Sequence, residues 1–157
     1  MSQAAANVQG AVYGTVAIGV LFAAEDPPRV GYAETLEAAL IVLALYWLTG
    51  FYAHELAIRV QRGEQVHVRL LWRSCLHELT IIEGGLIPVL AVLIAWAAGA
   101  TVAVGVAAAV WTTAATIIAL EVAAGVRSRP GPKRLLLQAS VGVAMGAAIV
   151  VLKLMLH

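Results

Sequence analysis

Residues 77–100 read HELTIIEGGLIPVLAVLIAWAAGA. The stretch is apolar and long enough to cross a bilayer, whose hydrocarbon core takes about 20 helical residues. In its middle stands one carboxylate, Glu83. A charged side chain is costly in hydrocarbon, so an intramembrane acid is read by default as part of a site with a partner to be named.

The rest of the chain agrees with lipid as the solvent. Of its 157 residues 62% are hydrophobic and 12% charged, with a mean hydropathy of +0.91. A soluble domain has about 45–50% apolar and about 25% charged residues. A net charge of +1 gives no ground to expect nucleic acid or an acidic partner. The lone Cys75 excludes an intramolecular disulfide and a CxxC metal or redox motif, and reads as a small interfacial filler. Residues 1–10 carry no basic side chain, and the first apolar run ends in Glu25-Asp26-Pro27-Pro28 rather than a small-residue cleavage site. The first helix is therefore expected to stay in the mature protein.

Five segments qualify as spans by apolar length: about Val8–Ala24, Glu34–Arg59, His77–Ala98, Val102–Val126 and Leu135–Leu156. Pro27-Pro28 stops the first, a Gly99-Ala100-Thr101 turn separates the third from the fourth, and Pro130-Gly131-Pro132 breaks the last loop. Part of the second connector, Val66–Leu76, is amphipathic and fits the membrane surface. Arg59, Arg62, Arg69 and Arg73 flank the second loop, and Arg127, Arg129, Lys133 and Arg134 the fourth; the first and third loops hold only Arg29. The positive-inside rule then puts the N-terminus and loops two and four in the cytoplasm and the C-terminus outside. The expectation is an all-α polytopic membrane protein, a single helical domain of five spans over residues 1–157.

Gly10-xxx-Gly14 and Gly142-xxx-Gly146 let helix backbones approach closely, within one bundle or between copies of it. Five helices leave little interior, so a permeation path forms more easily between protomers of a homo-oligomer. Gly84, Gly85 and Pro88 predict a kink beside Glu83, a setting common to intramembrane ion sites. Trp47, Trp72, Trp96 and Trp111 fall mostly near span ends, as an aromatic belt does.

Two pairs, His54-Glu55 and His77-Glu78, flank the second connector. Both imidazoles should sit roughly 6–8 Å inward from the arginine level, at a rise of about 1.5 Å per residue. Two imidazoles and two carboxylates can ligate a divalent metal or relay protons. They can equally be interfacial residues, with Glu55 paired to Arg59 and His77 near Arg73 at i,i+4 spacing. Adjacent residues are about 100° apart on a helix, so both members of a pair cannot aim squarely at one target. Glu83 lies six residues beyond His77, with Thr80 on its own face. There it is either protonated or paired. Donors within the sequence's reach are Tyr46, Thr49 and Tyr52 on the second span and Thr112, Thr113 and Thr116 on the fourth, unless the threonines bond their own helices. Glu34 and Glu37 open the second span, where acids favour a helix N-terminus; read functionally they are an outer vestibule. Glu121 reads as a salt-bridge partner for the basic loops, and Lys153 as a snorkelling residue.

Val12-Tyr13-Gly14-Thr15, Tyr46-Trp47-Leu48 with Phe51-Tyr52-Ala53-His54, His77-Glu78 with Glu83 and Pro88, and the Leu152-Lys153 to His157 ending cover most of the chain. Together they resemble a group of uncharacterised small integral membrane proteins of high-GC Gram-positive bacteria. The resemblance implies a bacterial inner-membrane address, and that the aromatic-His and His-Glu-x4-Glu patterns belong together. It supplies no activity and no residue roles. Thr49-Gly50 departs from the bulkier pattern of the group.

The function these residues predict is ion conduction or ion-coupled transport, of protons or small cations. Glu83 is its central group, Thr80 shares its face, Glu37 lies at the outer mouth, and His54, His77, Glu55 and Glu78 form the cytoplasmic exit. Two other readings stand beside it: a non-enzymatic accessory or scaffold subunit, and a divalent-metal protein using His54, His77, Glu55 and Glu78. No enzyme is expected, since no nucleophile–base constellation, phosphate loop or cofactor motif is present.

Overall fold

The computed structural model describes residues 3–26, 29–62, 79–128 and 132–156, and among these all regular structure is helical. Five helices follow one another: α1 (Gln3–Ala24), α2 (Tyr32–Arg62), α3 (Leu79–Ala97), α4 (Val102–Ser128) and α5 (Pro132–Leu156). Four contain stretches long and apolar enough to cross a membrane: Tyr32–Ala57, Leu79–Ala97, Val102–Gly125 and Ala139–Leu156. The first segment departs from the expectation that all five qualify as spans. Its apolar stretch, Val8–Ala24, is shorter than these four.

What α1 lacks in length it has in packing. Gly10, Gly14, Thr15, Ala17, Ile18, Gly19, Phe22 and Ala23 are all buried or nearly so, and α1 touches each of the other four helices. Its closest partner is α3. A Cβ on Gly14 would overlap the Ile81 carbonyl and stand 2.9 Å from the Gly85 nitrogen; one on Gly84 would overlap the Ala11 backbone. The missing side chains are what let the two backbones meet. Gly142 and Gly146 do the same for α5 against α4, where Ala114 and Glu121 fill the space. The glycine pairs therefore serve packing within the chain.

Around α1 the core is built from Ile18, Phe22, Leu43, Val89, Val92, Val106, Val110, Ile117 and Ile149. α3 runs unbroken through Pro88, which faces that core. It ends in a tight cap: Gly99 takes φ +73°, its N–H reaches the Trp96 carbonyl at 2.9 Å, and the Ala100 N–H reaches the Ala95 carbonyl at 3.0 Å. This 6→1 and 5→2 pattern needs a left-handed residue, and glycine adopts it without a Cβ penalty. α4 and α5 come closer in sequence than expected, because Pro132 starts α5 instead of breaking the loop. Proline is favoured in the first turn, where its missing N–H costs nothing.

The helix directions alternate, so the N-terminus of α1 and the ends carrying Arg59, Arg62, Arg127, Lys133 and Arg134 share one end of the bundle. The opposite end gathers the α1–α2 loop, the Gly99 turn and the C-terminus of α5. The amphipathic connector, with Arg69, Trp72, Arg73, Cys75, His77 and Glu78, lies outside the described residues.

Candidate functional site

Contacts between backbones set the depth of each polar group. Gly10 against Thr80 and Gly14 against Ile81 and Gly85 make α1 and α3 run the same way, with Tyr13 level with Glu83. Leu43 against Gly85 and Tyr32 against the Ala100 carbonyl make α2 antiparallel to α3. That register puts Tyr46 within about 2 Å of the depth of Glu83, and His54 roughly 13 Å nearer the basic end, at about 1.5 Å per residue.

The packed face of α3 is Ile81, Gly84, Gly85, Pro88, Val89 and Val92. Glu83 lies about 160° around the helix from Gly85, at about 100° per residue, and so points away from the bundle. It is exposed on the protein surface, on one outward strip with Ile87, Leu90 and Ile94. Among the described residues it has neither a hydrogen bond nor an ion pair. The donors expected for it are engaged elsewhere or out of reach. Thr49, Thr113 and Thr116 donate to the carbonyls of Leu45 (2.7 Å), Ala109 (2.9 Å) and Thr112 (2.8 Å) on their own helices. Tyr46 and Tyr52 are exposed on α2, which α3 meets through Gly85, nearly opposite Glu83.

The other expected site residues scatter around this point. Thr80 is half-buried with its hydroxyl against Gly10, where it seals the α1–α3 contact. Glu37 is exposed toward the far end of α2. Its neighbour Glu34 acts locally, where its carboxylate accepts from the Gly31 N–H at 2.9 Å and caps the helix. Glu55 is buried at 5% exposure and His54 half-buried, and neither is without a partner. His77 and Glu78 lie outside the described residues, so the meeting of the two His-Glu pairs does too. Among the described residues no three His, Cys, Asp or Glu side chains come together as a metal would require.

One polar cluster at the other end of the bundle escaped the sequence. The Lys153 ammonium, expected to reach for headgroups, turns inward and donates to the carbonyls of Glu25 (2.7 Å) and Phe22 (3.5 Å). A helix leaves its last carbonyls without intrahelical donors, and Pro27 and Pro28 bring no N–H to supply them. A cation there also suits the negative end of the α1 dipole. Burial raises the Glu25 carboxyl above its usual range; the neighbouring Thr35 hydroxyl and the Lys153 charge oppose this, and Glu34 adds to it. The Thr35 hydroxyl and one Glu25 oxygen are buried without a hydrogen bond of ordinary geometry. The signal was available: a lysine in an otherwise apolar helix end, opposite a helix that stops at two prolines.

No protein-family model, curated protein or solved structure matches the chain.

Proposed function

We propose that the chain is the subunit of a homo-oligomer in a bacterial inner membrane that binds protons or small cations at Glu83 and passes them along the seam between protomers. The observation that carries this reading is the outward position of Glu83, unpartnered among the described residues, about 6 Å inside the first described turn of α3 at a rise of about 1.5 Å per residue. A carboxylate facing lipid is costly without a partner, and taking up and releasing a cation there is the elementary step of transport.

The interior of the single bundle speaks against a path through its centre. The polar residues buried there among those described are Thr15, Thr35, Glu55 and Thr113. Thr15 shares its proton between the Ala11 (2.8 Å) and Gly84 (2.9 Å) carbonyls, and Thr113 gives its own to Ala109. Under this reading the basic end is cytoplasmic, by the positive-inside rule, with His54, Glu55, His77 and Glu78 at the exit and Glu37 toward the outer mouth. The test is proton and monovalent-cation flux in liposomes holding the purified protein, wild type against Glu83→Gln. Flux falling to the leak of empty liposomes is expected; unchanged flux removes the assignment.

A second reading is favoured by α2, which leaves Leu40, Ile41, Leu45, Leu48 and Tyr52 exposed along its length. Such a helix can serve an accessory subunit that lays it against another membrane protein. No flux from the isolated chain, with a stoichiometric partner on gentle purification, would select it.

A further inference from the structure

We infer that Glu83 is completed by a second copy of this chain: the outward strip of α3 in one protomer docks on α2 of the next, where the Tyr46 hydroxyl donates to the Glu83 carboxyl. The inference deepens the proposed function and rests on its reading of Glu83 as a group that another chain buries.

Depth selects the donor. Every copy inserts with the same orientation, because the same charges orient it, and rotation about the membrane normal moves no residue up or down. A group that meets Glu83 across such a seam must therefore lie at the depth of Glu83 in its own protomer. On α4 and α5 the polar residues near that level are Thr116, Glu121 and Ser140. Thr116 and Ser140 donate to carbonyls of their own helices at 2.8 Å and 2.7 Å. Glu121 lies against Gly142, and as a carboxylate has no proton to donate. Two hydroxyls remain, Tyr13 at 53% exposure and Tyr46 at 48%. The Tyr13 oxygen accepts from the Gln9 amide at 3.3 Å and keeps its own proton, but Tyr13 stands on α1, the central helix that packs against all four others. Tyr46 has no hydrogen-bond partner among the described residues, and it stands on the least buried span, of which 11% is covered.

Within one chain the pair cannot form, because Glu83 points away from the α3 face that meets α2. Between chains it matches an acceptor and a donor that the single chain leaves exposed, on helices whose apolar surroundings offer few other partners. An α3-to-α2 contact is heterologous, so repetition about one axis closes a ring rather than a face-to-face pair. The Glu83 carboxyls then line successive seams at one depth.

The experiment is energy transfer between donor- and acceptor-labelled copies of the full chain in phosphatidylcholine–phosphatidylglycerol liposomes, diluted with lipid. Wild type, Glu83→Leu, Tyr46→Phe and the double variant are compared. Each single substitution is expected to shift the dissociation midpoint by roughly 3- to 30-fold, the range of an interhelical hydrogen bond in lipid. The double variant should shift it no further than either alone. A wild type that stays monomeric at every lipid density, a Glu83→Leu or Tyr46→Phe variant that associates as wild type does, or additive effects would each overturn the pairing. The outcome is separable from transport. Association that depends on both residues but carries no flux leaves the seam standing and removes the ion path; flux lost in Glu83→Gln from a protein without the Tyr46 dependence does the reverse.

Discussion

α1 and α2 are neighbours of opposite character. α1 has the shorter apolar stretch, Val8–Ala24, and contacts every other helix; α2 is the longest helix, with 31 residues, and most of its span faces outward. The buried face of α1 is largely small: Gly10, Gly14, Ala17, Gly19 and Ala23. The exposed face of α2 is large: Leu40, Ile41, Leu45, Leu48 and Leu56. In water the larger apolar residues would seek the core. In lipid they gain nothing by doing so, and closeness of backbones decides which helix is central.

The sharpest way to break this contrast is to add one methyl group to the α1–α3 contact. Gly84→Ala places a Cβ onto the Ala11 backbone, which cannot turn aside as a side chain tip can. Overpacking of a tight contact costs about 1–3 kcal/mol, occasionally more. With backbone on the receiving side, Gly84→Ala is expected to cost about 3 kcal/mol, read as a lower denaturation midpoint in detergent micelles. A stability equal to wild type would mean that the two helices do not touch where Gly14 and Gly84 place them.

The helices themselves were legible in the sequence, because runs of apolar residues bounded by Pro27-Pro28, Gly99 and Pro130-Gly131-Pro132 leave few alternatives. The direction Glu83 faces was not. Its depth follows from counting residues, but its azimuth depends on which side of α3 the glycines turn toward α1, and Gly84 and Gly85 sit beside it in sequence. The same limit left open whether the threonines reach across the bundle or back to their own carbonyls, as Thr49, Thr113 and Thr116 do. A hydroxyl spaced to reach across a bundle is equally spaced to reach back four residues, and the local bond forms without ordering a second helix. Lys153 was misplaced for a related reason: snorkelling assumes that headgroups are the nearest acceptors. Here the chain's own Glu25 carbonyl accepts from it at 2.7 Å.

Lys153 offers a smaller test at the end of α1. Lys153→Met keeps length and apolar volume but leaves the Phe22 and Glu25 carbonyls without that donor. Hydrogen bonds to a charged group contribute about 1.5–3 kcal/mol, and water at the bundle end replaces part of that. A loss of about 1–2 kcal/mol is expected, together with faster backbone hydrogen exchange across residues 22–35 and little change in α3. Slow exchange at those residues in the variant would show that the two helices hold together there without the lysine.

The smallest effect is the most informative about α2. Leu48 is 53% exposed on the outward side. In a water-soluble fold Leu→Ala at a packed site costs about 2–5 kcal/mol; on a surface it stays within about 0.5 kcal/mol. Leu48→Ala in the monomer exchanges protein methyls for lipid methyls, so a change within about 0.5 kcal/mol is expected at high lipid dilution. A loss of several kcal/mol under that condition would place Leu48 against α1 or α3 and dissolve the distinction between a central and a peripheral helix. A loss that appears only when copies are concentrated would instead mark α2 as a surface that another chain covers.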